Sequence, residues 1–281
     1  MKHDTYEKYL ACDIDLAQRA LLTTWDCLGA YQADLALVGG LAIKFLTKPP
    51  TDGMPGPVTL DVDFGISIGA ESGMYGTIRE TLSAHGFNWS NNRFVRKFRE
   101  MDLYLDLLTD HEDIGKNTVT VDDGLAVSVI PGISRALEKS RLITVSGMNL
   151  LGTKQTEQIR VAEVGPMLVL KLNAFGAPTG PGGAGGRKAP KDVHDVLYLA
   201  MNYIDGLGKA VAGFHDEKSA GNRGISNAIH TLNSYFSGPE ALGPISCAAF
   251  RLSGRHLEAD FKDESERIRQ QCVTLAEMLL G

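Results

Sequence analysis

The stretch Thr59-Leu60-Asp61-Val62-Asp63-Phe64-Gly65-Ile66 decides how this chain is read. In a β-strand residues i and i+2 point to one face. Asp61 and Asp63 therefore project together, while Leu60, Val62 and Phe64 turn the other way into apolar packing. Working outward, Asp102-Leu103-Tyr104-Leu105-Asp106-Leu107-Leu108 alternates in the same manner. Leu103, Leu105 and Leu107 share one face of it, and Asp102, Tyr104 and Asp106 share the other. If the two strands are neighbours, three carboxylates converge. Close like charges raise one another's pKa unless a cation sits among them. A hard divalent cation with oxygen ligands, Mg²⁺, resolves that conflict and keeps positions open for substrate phosphates. Asp106 is favoured over Asp102 as the third ligand, because Leu105, Leu107 and Leu108 embed it in the strand interior and Asp102 stands at the strand's start.

Upstream, the apolar run Leu35-Ala36-Leu37-Val38 enters Gly39-Gly40 and then a helix-like Leu41 to Leu46. The glycines have two readings: a sharp turn that needs positive φ, or a place where backbone N–H groups reach phosphates at a helix N-terminus. A Pro/Gly-rich loop follows from Lys48 to Pro57. Helices are expected from Tyr6 to Ala30 and from Glu71 to His85, with strands from Thr59 to Ile66, Arg93 to Phe98 and Asp102 to Leu108. The last two are joined by a tight connection near Arg99-Glu100. Between Val119 and Val161 run several short strands, interrupted by a short helix after Pro131. Glu163 to Phe175 reads as a helix that is nearly apolar apart from Lys171. Gly176 to Gly186 is low in complexity and flexible by composition. Beyond it the chain reads as four or five helices, and no internal repeat is visible. The fold class is α/β (α+β): a mixed sheet flanked by helices, followed by a C-terminal helical bundle. The expected domains are 1–175, a linker at 176–187, and 188–281.

Length and charge narrow the function classes. With 281 residues, 43% of them hydrophobic, the chain can bury a sizeable core. A formal net charge of −6 excludes a generically basic nucleic-acid coat. Cys12, Cys27, Cys247 and Cys272 are scattered without zinc spacing and read as reduced thiols. No signal peptide is visible at the polar N-terminus. No apolar run approaches the roughly 18 residues of a membrane span. A cytoplasmic protein without membrane attachment is expected.

The ordered set Val38-Gly39-Gly40, Asp61-Val62-Asp63-Phe64 and Tyr104-Leu105-Asp106-Leu107-Leu108 resembles the nucleotidyltransferase superfamily of DNA polymerase β-like folds. The further run Lys171-Leu172-Asn173-Ala174-Phe175, then Arg187-Lys188 and Lys191-Asp192-Val193-His194-Asp195, resembles its AbiEii-type branch, which includes toxins of bacterial toxin–antitoxin systems. The resemblance spans roughly residues 35 to 200. It implies transfer of an NMP from an NTP such as ATP, with two Mg²⁺ ions held by Asp61, Asp63 and Asp106. Asp106 would help deprotonate the acceptor hydroxyl. Lys171 would join the three aspartates as a catalytic residue; Gly39, Gly40, Lys171 and Arg187 or Lys188 would hold the nucleotide, joined by Lys191, Asp192 and Asp195. The implied acceptor is RNA (a tRNA 3′ end) or a protein, and the implied partner a cognate antitoxin. The chain departs from the family where the Pro/Gly loop lengthens the span before Asp61, where Pro57-Val58 replace a customary basic residue, and in its glycine insertion.

Each cluster also has a plainer reading. Lys171 can be a lysine whose stem packs while its ammonium reaches water. Lys191 and Asp195 can be a surface i, i+4 salt bridge. His194 reads as a helix-surface histidine rather than a ligand. Arg93, Arg96, Lys97 and Arg99 read first as a solvated basic strand edge and second as a guide for a nucleotide or RNA acceptor. Two other functions stay open: a small-molecule (antibiotic) adenylyltransferase, and a catalytically inactive nucleotidyltransferase fold used as a binding module.

Overall fold

Strict alternation makes strands where it was expected, and the register between them builds the sheet. The computed structural model describes residues 5–7, 14–49, 56–59, 61–67, 76–91, 93–110, 118–121, 125–177, 189–255 and 259–281. Two compact units emerge: one of Asp13–Phe45 and Thr59–Glu163, the other of Met1–Cys12, Leu46–Val58 and Val164–Gly281. The division falls before Val164, whereas the sequence suggested 175–188. The reason is the helix that starts at Val164. It is apolar around most of its circumference, so it must be buried on most sides, and it packs with the C-terminal helices. The expected linker, 178–187 in particular, lies outside the described residues apart from Gly176 and Ala177.

The sheet unit runs α1 (Ile14–Cys27), a 3₁₀ turn (Gly29–Asp34), β1 (Leu35–Val38), α2 (Gly39–Leu46), β2 (Asp61–Ile66), α3 (Gly76–Ala84), β3 (Asn88–Ser90), β4 (Arg93–Phe98), β5 (Met101–Thr109), β6 (Thr118–Val121), β7 (Leu125–Val129), α4 (Ile133–Glu138), β8 (Ser140–Met148) and β9 (Lys154–Ala162). The nine strands form one mixed sheet in the order β3-β4-β5-β2-β1-β9-β8, with β7 on β5 and β6 on β7. β2 and β5 are parallel, as are β1 and β9, and β5 and β7. β3 is too short to announce itself by periodicity.

The two faces of the sheet have different covers. Leu103, Leu105 and Leu107 of β5, with Val62 and Phe64 of β2, are buried. Trp25 of α1 meets Phe64 with ring centroids 5.8 Å apart. The neighbouring residue Gly65 points to the other face, where Ile133 and Leu137 of α4 come close. Asp61 and Asp63 lie on that same face, nearer the start of the strand.

The helical unit contains α5 (Val164–Gly176), α6 (Pro190–Asn202), α7 (Leu207–Ser219), α8 (Ile225–Tyr235), α9 (Leu242–Arg251) and α10 (Phe261–Leu280). α5 packs on α6, α7 and α8, and α9 packs on α6 and α10. At the α5–α7 crossing a Cβ on Gly165 would stand 2.3 Å from the Gly213 carbonyl oxygen. Two glycines there let the helix backbones touch. Among the described residues, no helix is long and apolar enough to cross a membrane.

Candidate functional site

The acid face is assembled by register. β2 and β5 run parallel with Asp61 beside Tyr104 and Asp63 beside Asp106. Paired residues of neighbouring strands share a face, so Asp61, Asp63, Tyr104 and Asp106 all rise from one side of the sheet. The strand pairing thus places residues 61, 63 and 106 on one face of the sheet.

A fifth residue, Arg93, occupies this face. β4 pairs with β5 through a hairpin that sets Phe98 opposite Met101 and Phe94 opposite Leu105. That register brings Arg93 level with Asp106. Its guanidinium donates to Asp106 twice, Nε to Oδ1 at 3.0 Å and Nη2 to Oδ2 at 2.7 Å. Nη2 also lies 3.7 Å from Asp61 Oδ1, too far for a hydrogen bond but near enough for charge to act. The guanidinium carbon stands 4.1 Å from the centre of the Tyr104 ring, in cation–π range. Burial raises the Asp106 pKa, the Arg93 charge lowers it, and Asp61 raises it again, with a net shift upward. About a quarter of each of the three side chains stays open to solvent, so a solute can reach them.

Asp63 is fixed from another direction. Gly39 opens α2 with φ +74°, a left-handed conformation that favours glycine. A Cβ there would stand 1.9 Å from Asp63 Oδ2. The carboxylate thus lies against the first residue of a helix, where negative charge is favoured by about 0.3–1 kcal/mol. Gly40 is buried within the first turn. The turn reading of the glycine pair is met at Gly39 by its positive φ, and the missing side chain also makes room for an acid.

The remaining expected site residues belong to the helical unit. Lys171 of α5 places Nζ 2.6 Å from Asp195 Oδ2 and 3.4 Å from Asp192 Oδ1 of α6. Lys191 Nζ is also 2.6 Å from Asp195 Oδ2. All four are buried, Asp192 and Asp195 fully. Burial alone would raise the Asp195 pKa, but Lys171 and Lys191 overcome it and hold it well below the usual carboxylate range. Burial lowers the Lys191 pKa, and Asp195 opposes that shift. The Asp195 carboxylate lies between two ammonium groups and is stabilised by both. The Lys191–Asp195 pair is therefore no surface bridge but part of a core ion cluster. Arg187 and Lys188 lie outside the described residues.

His194 corrects an expectation. Instead of a helix-surface residue it is fully buried, ringed by Tyr6, Tyr198 and Phe250, with Nε2 3.3 Å from the Gly56 carbonyl oxygen. Burial drives its pKa down to about 3. Its neutral form donates from Nε2, which leaves Nδ1 as a buried acceptor without a hydrogen bond. No ligand role follows from that position.

The basic run at Arg93 to Arg99 also divides. Arg93 engages the acids, Arg96 donates to the His85 carbonyl, and Arg99 stacks near Phe98. Lys97 is exposed. The basic run marked Arg93 as a candidate guide for a nucleotide or RNA acceptor but not as the partner of Asp106, although a two-residue connection at Arg99-Glu100 implies that position by counting back along the hairpin.

Asp61, Asp63 and Asp106 are an all-oxygen donor set of the kind a hard cation takes. Among the described residues, no three His, Cys, Asp or Glu side chains stand close enough together to hold a metal ion. The cation between Asp61 and Asp106 is the guanidinium of Arg93. The donors thus fit Mg²⁺ in kind, and Arg93 offsets the charge of Asp106 and part of that of Asp61. No protein-family model matches the chain, and no curated protein matches it.

Proposed function

We propose that the acid face is the catalytic centre of a Mg²⁺-dependent nucleotidyltransferase that moves an NMP from an NTP onto an acceptor. The observation that carries this reading is the in-register pairing of Asp61-Val62-Asp63 with the Asp106 strand, directly beside the Gly39-Gly40 entry to α2. Three acids on one face conflict electrostatically unless cations offset them, and a polyphosphate substrate arrives with such cations. Bound there, Mg²⁺ would polarise the α-phosphate and offset charge building on the pyrophosphate.

The chain's own groups would do the rest by position and field, as in phosphoryl transfer generally. Gly39 and Gly40 would present the N-terminus of α2 to the phosphate tail. Asp106, in the interior of β5, would orient the attacking hydroxyl. Lys171, Lys191, Asp192 and Asp195 would serve the helical unit as a structural ion cluster, because Asp195 already engages both lysines. The acceptor proposed is RNA, a tRNA 3′ end in particular, or a protein, in a toxin restrained by a cognate antitoxin; that part of the proposal rests on the resemblance alone.

The test is incubation with labelled NTPs, Mg²⁺ and total RNA. Label in RNA that is lost in Asp63→Ala, with circular dichroism unchanged, is the expected result. Label that persists in Asp63→Ala removes the assignment. A second reading is favoured by the bidentate hold of Arg93 on Asp106, which already neutralises one acid: a nucleotide-binding module without turnover. It would show NTP binding and no transfer to RNA, protein or aminoglycoside.

A further inference from the structure

Arg93 has two jobs to reconcile. It is drawn to Asp106 and Asp61, and it stands where the proposed metal and triphosphate would come. A guanidinium is a planar donor that pairs with carboxylate and phosphate through the same two-pronged geometry. Its bond to Asp106 is bidentate, yet a quarter of each partner is solvent-exposed. Such a pair is an exchangeable contact rather than a sealed one, because water and solute reach both halves. Tyr104 holds the flat of the guanidinium at 4.1 Å. That stacking keeps Arg93 at the acid face whichever anion its edge engages.

From this geometry we infer that Arg93 is a latch on the acid face: it occupies the carboxylates when no ligand is bound and transfers to the phosphates of an incoming nucleoside triphosphate. This rests on the reading of the acid face as a metal–nucleotide site and names how that site is regulated. Before nucleotide arrives, a divalent cation must displace a guanidinium from Asp106 and face its charge near Asp61. Metal alone therefore binds weakly. A triphosphate offers Arg93 a more highly charged partner and frees both carboxylates for the cation. Nucleotide and metal consequently bind as a unit, and the site does not fill with metal in the absence of substrate. No bond is made or broken in this step; one ion pair is exchanged for another.

Direct Mn²⁺ titration, with bound ion counted by electron paramagnetic resonance, tests the latch without reference to turnover. In the absence of nucleotide, Arg93→Met is expected to bind Mn²⁺ at least about tenfold more tightly than the wild type. A charge-assisted bidentate contact contributes on the order of 1.4 kcal/mol or more, which is that factor. Arg93→Lys, which keeps the charge and loses the fork, should fall between them, and it serves alone if Arg93→Met does not fold. With a non-hydrolysable NTP present, the wild type should lose its disadvantage. Equal Mn²⁺ affinity in wild type and both variants, with Asp106→Asn binding much more weakly, overturns the latch while leaving the metal site standing. No Mn²⁺ binding in any of these proteins, with or without nucleotide, overturns the metal reading and the latch with it.

Discussion

Replacing Gly39 by alanine probes the junction on which the acid face depends. Two costs can be separated. The first is conformational: φ at this residue is +74°, and an L-residue held there loses about 1–2 kcal/mol relative to glycine. The second is steric: the new Cβ would meet Asp63 Oδ2 at 1.9 Å and its Cγ at 2.8 Å. No carboxylate tolerates that overlap, so Asp63 must leave its place or α2 must shift, at about 1–3 kcal/mol for overpacking of this kind. Gly39→Ala should therefore lose about 2–5 kcal/mol in urea unfolding. In an Asp63→Ala background the atoms that clash most are gone, and the Asp63 Cβ stands 3.0 Å away, a tight but tolerable contact. Only the conformational cost should remain. The double-mutant cycle should thus show a coupling of about 1–3 kcal/mol between residues 39 and 63. Additive effects would mean that the carboxylate does not lie against the glycine, and the placement of Asp63 at the start of α2 would be refuted.

Other perturbations separate the ion cluster from the acid face. Lys171→Met leaves Asp192 and Asp195 buried with one cation fewer, so unfolding should cost about 3–5 kcal/mol less, as for other broken buried pairs; unchanged stability with weakened NTP binding would instead return Lys171 to the phosphate set. His194 titrates near 3 in the fold and near 6.5 when unfolded, so the unfolded chain takes up a proton first as pH falls. Its contribution to stability is full above about pH 6.5 and declines toward pH 3, by up to about 1.4 kcal/mol per unit. Urea unfolding at pH 7 and pH 5 should show that slope in the wild type and a shallower one in His194→Phe; equal slopes would contradict a neutral buried imidazole. Asp110 accepts from Gly132 N–H and Ser134 Oγ, both at 2.9 Å, at the start of α4. Asp110→Ala should lose about 0.5–2 kcal/mol, as loss of a helix cap does, and no loss in thermal unfolding would show the contact to be incidental.

Particular residues explain what could be read in advance. Strand alternation exposed β2 and β5, because Asp61-Val62-Asp63-Phe64 and Leu103 to Leu107 keep a period of two with apolar residues on one face. The α/β half and the mixed sheet followed from it, and the C-terminal half read separately as helices. Two placements were encoded but not evident. The tight connection at Arg99-Glu100, where Arg99 takes φ +56°, sets the β4–β5 register and with it Arg93 opposite Asp106. The burial of His194 was hidden because α6 is buried from Lys191 to Ala200, charges included. Surface rules fail for such a helix, and only knowledge that Lys171 of α5 meets Asp192 and Asp195 would reverse them. The unit boundary was illegible for a related reason: glycine-rich composition marks where a chain can bend, while the division of cores depends on where α5 buries its apolar sides.

Asp61, Asp63 and Asp106 are proposed to act as one cation-binding catalytic face. Mn²⁺ stoichiometry in the presence of a non-hydrolysable NTP tests it most directly, compared among the wild type, Asp61→Asn, Asp63→Asn and Asp106→Asn. Bound Mn²⁺ is expected in the wild type, about two ions as in two-metal phosphoryl-transfer sites, with every single substitution lowering the affinity sharply while circular dichroism stays native. Native-like binding in any one of the three variants, or none in the wild type, would contradict it.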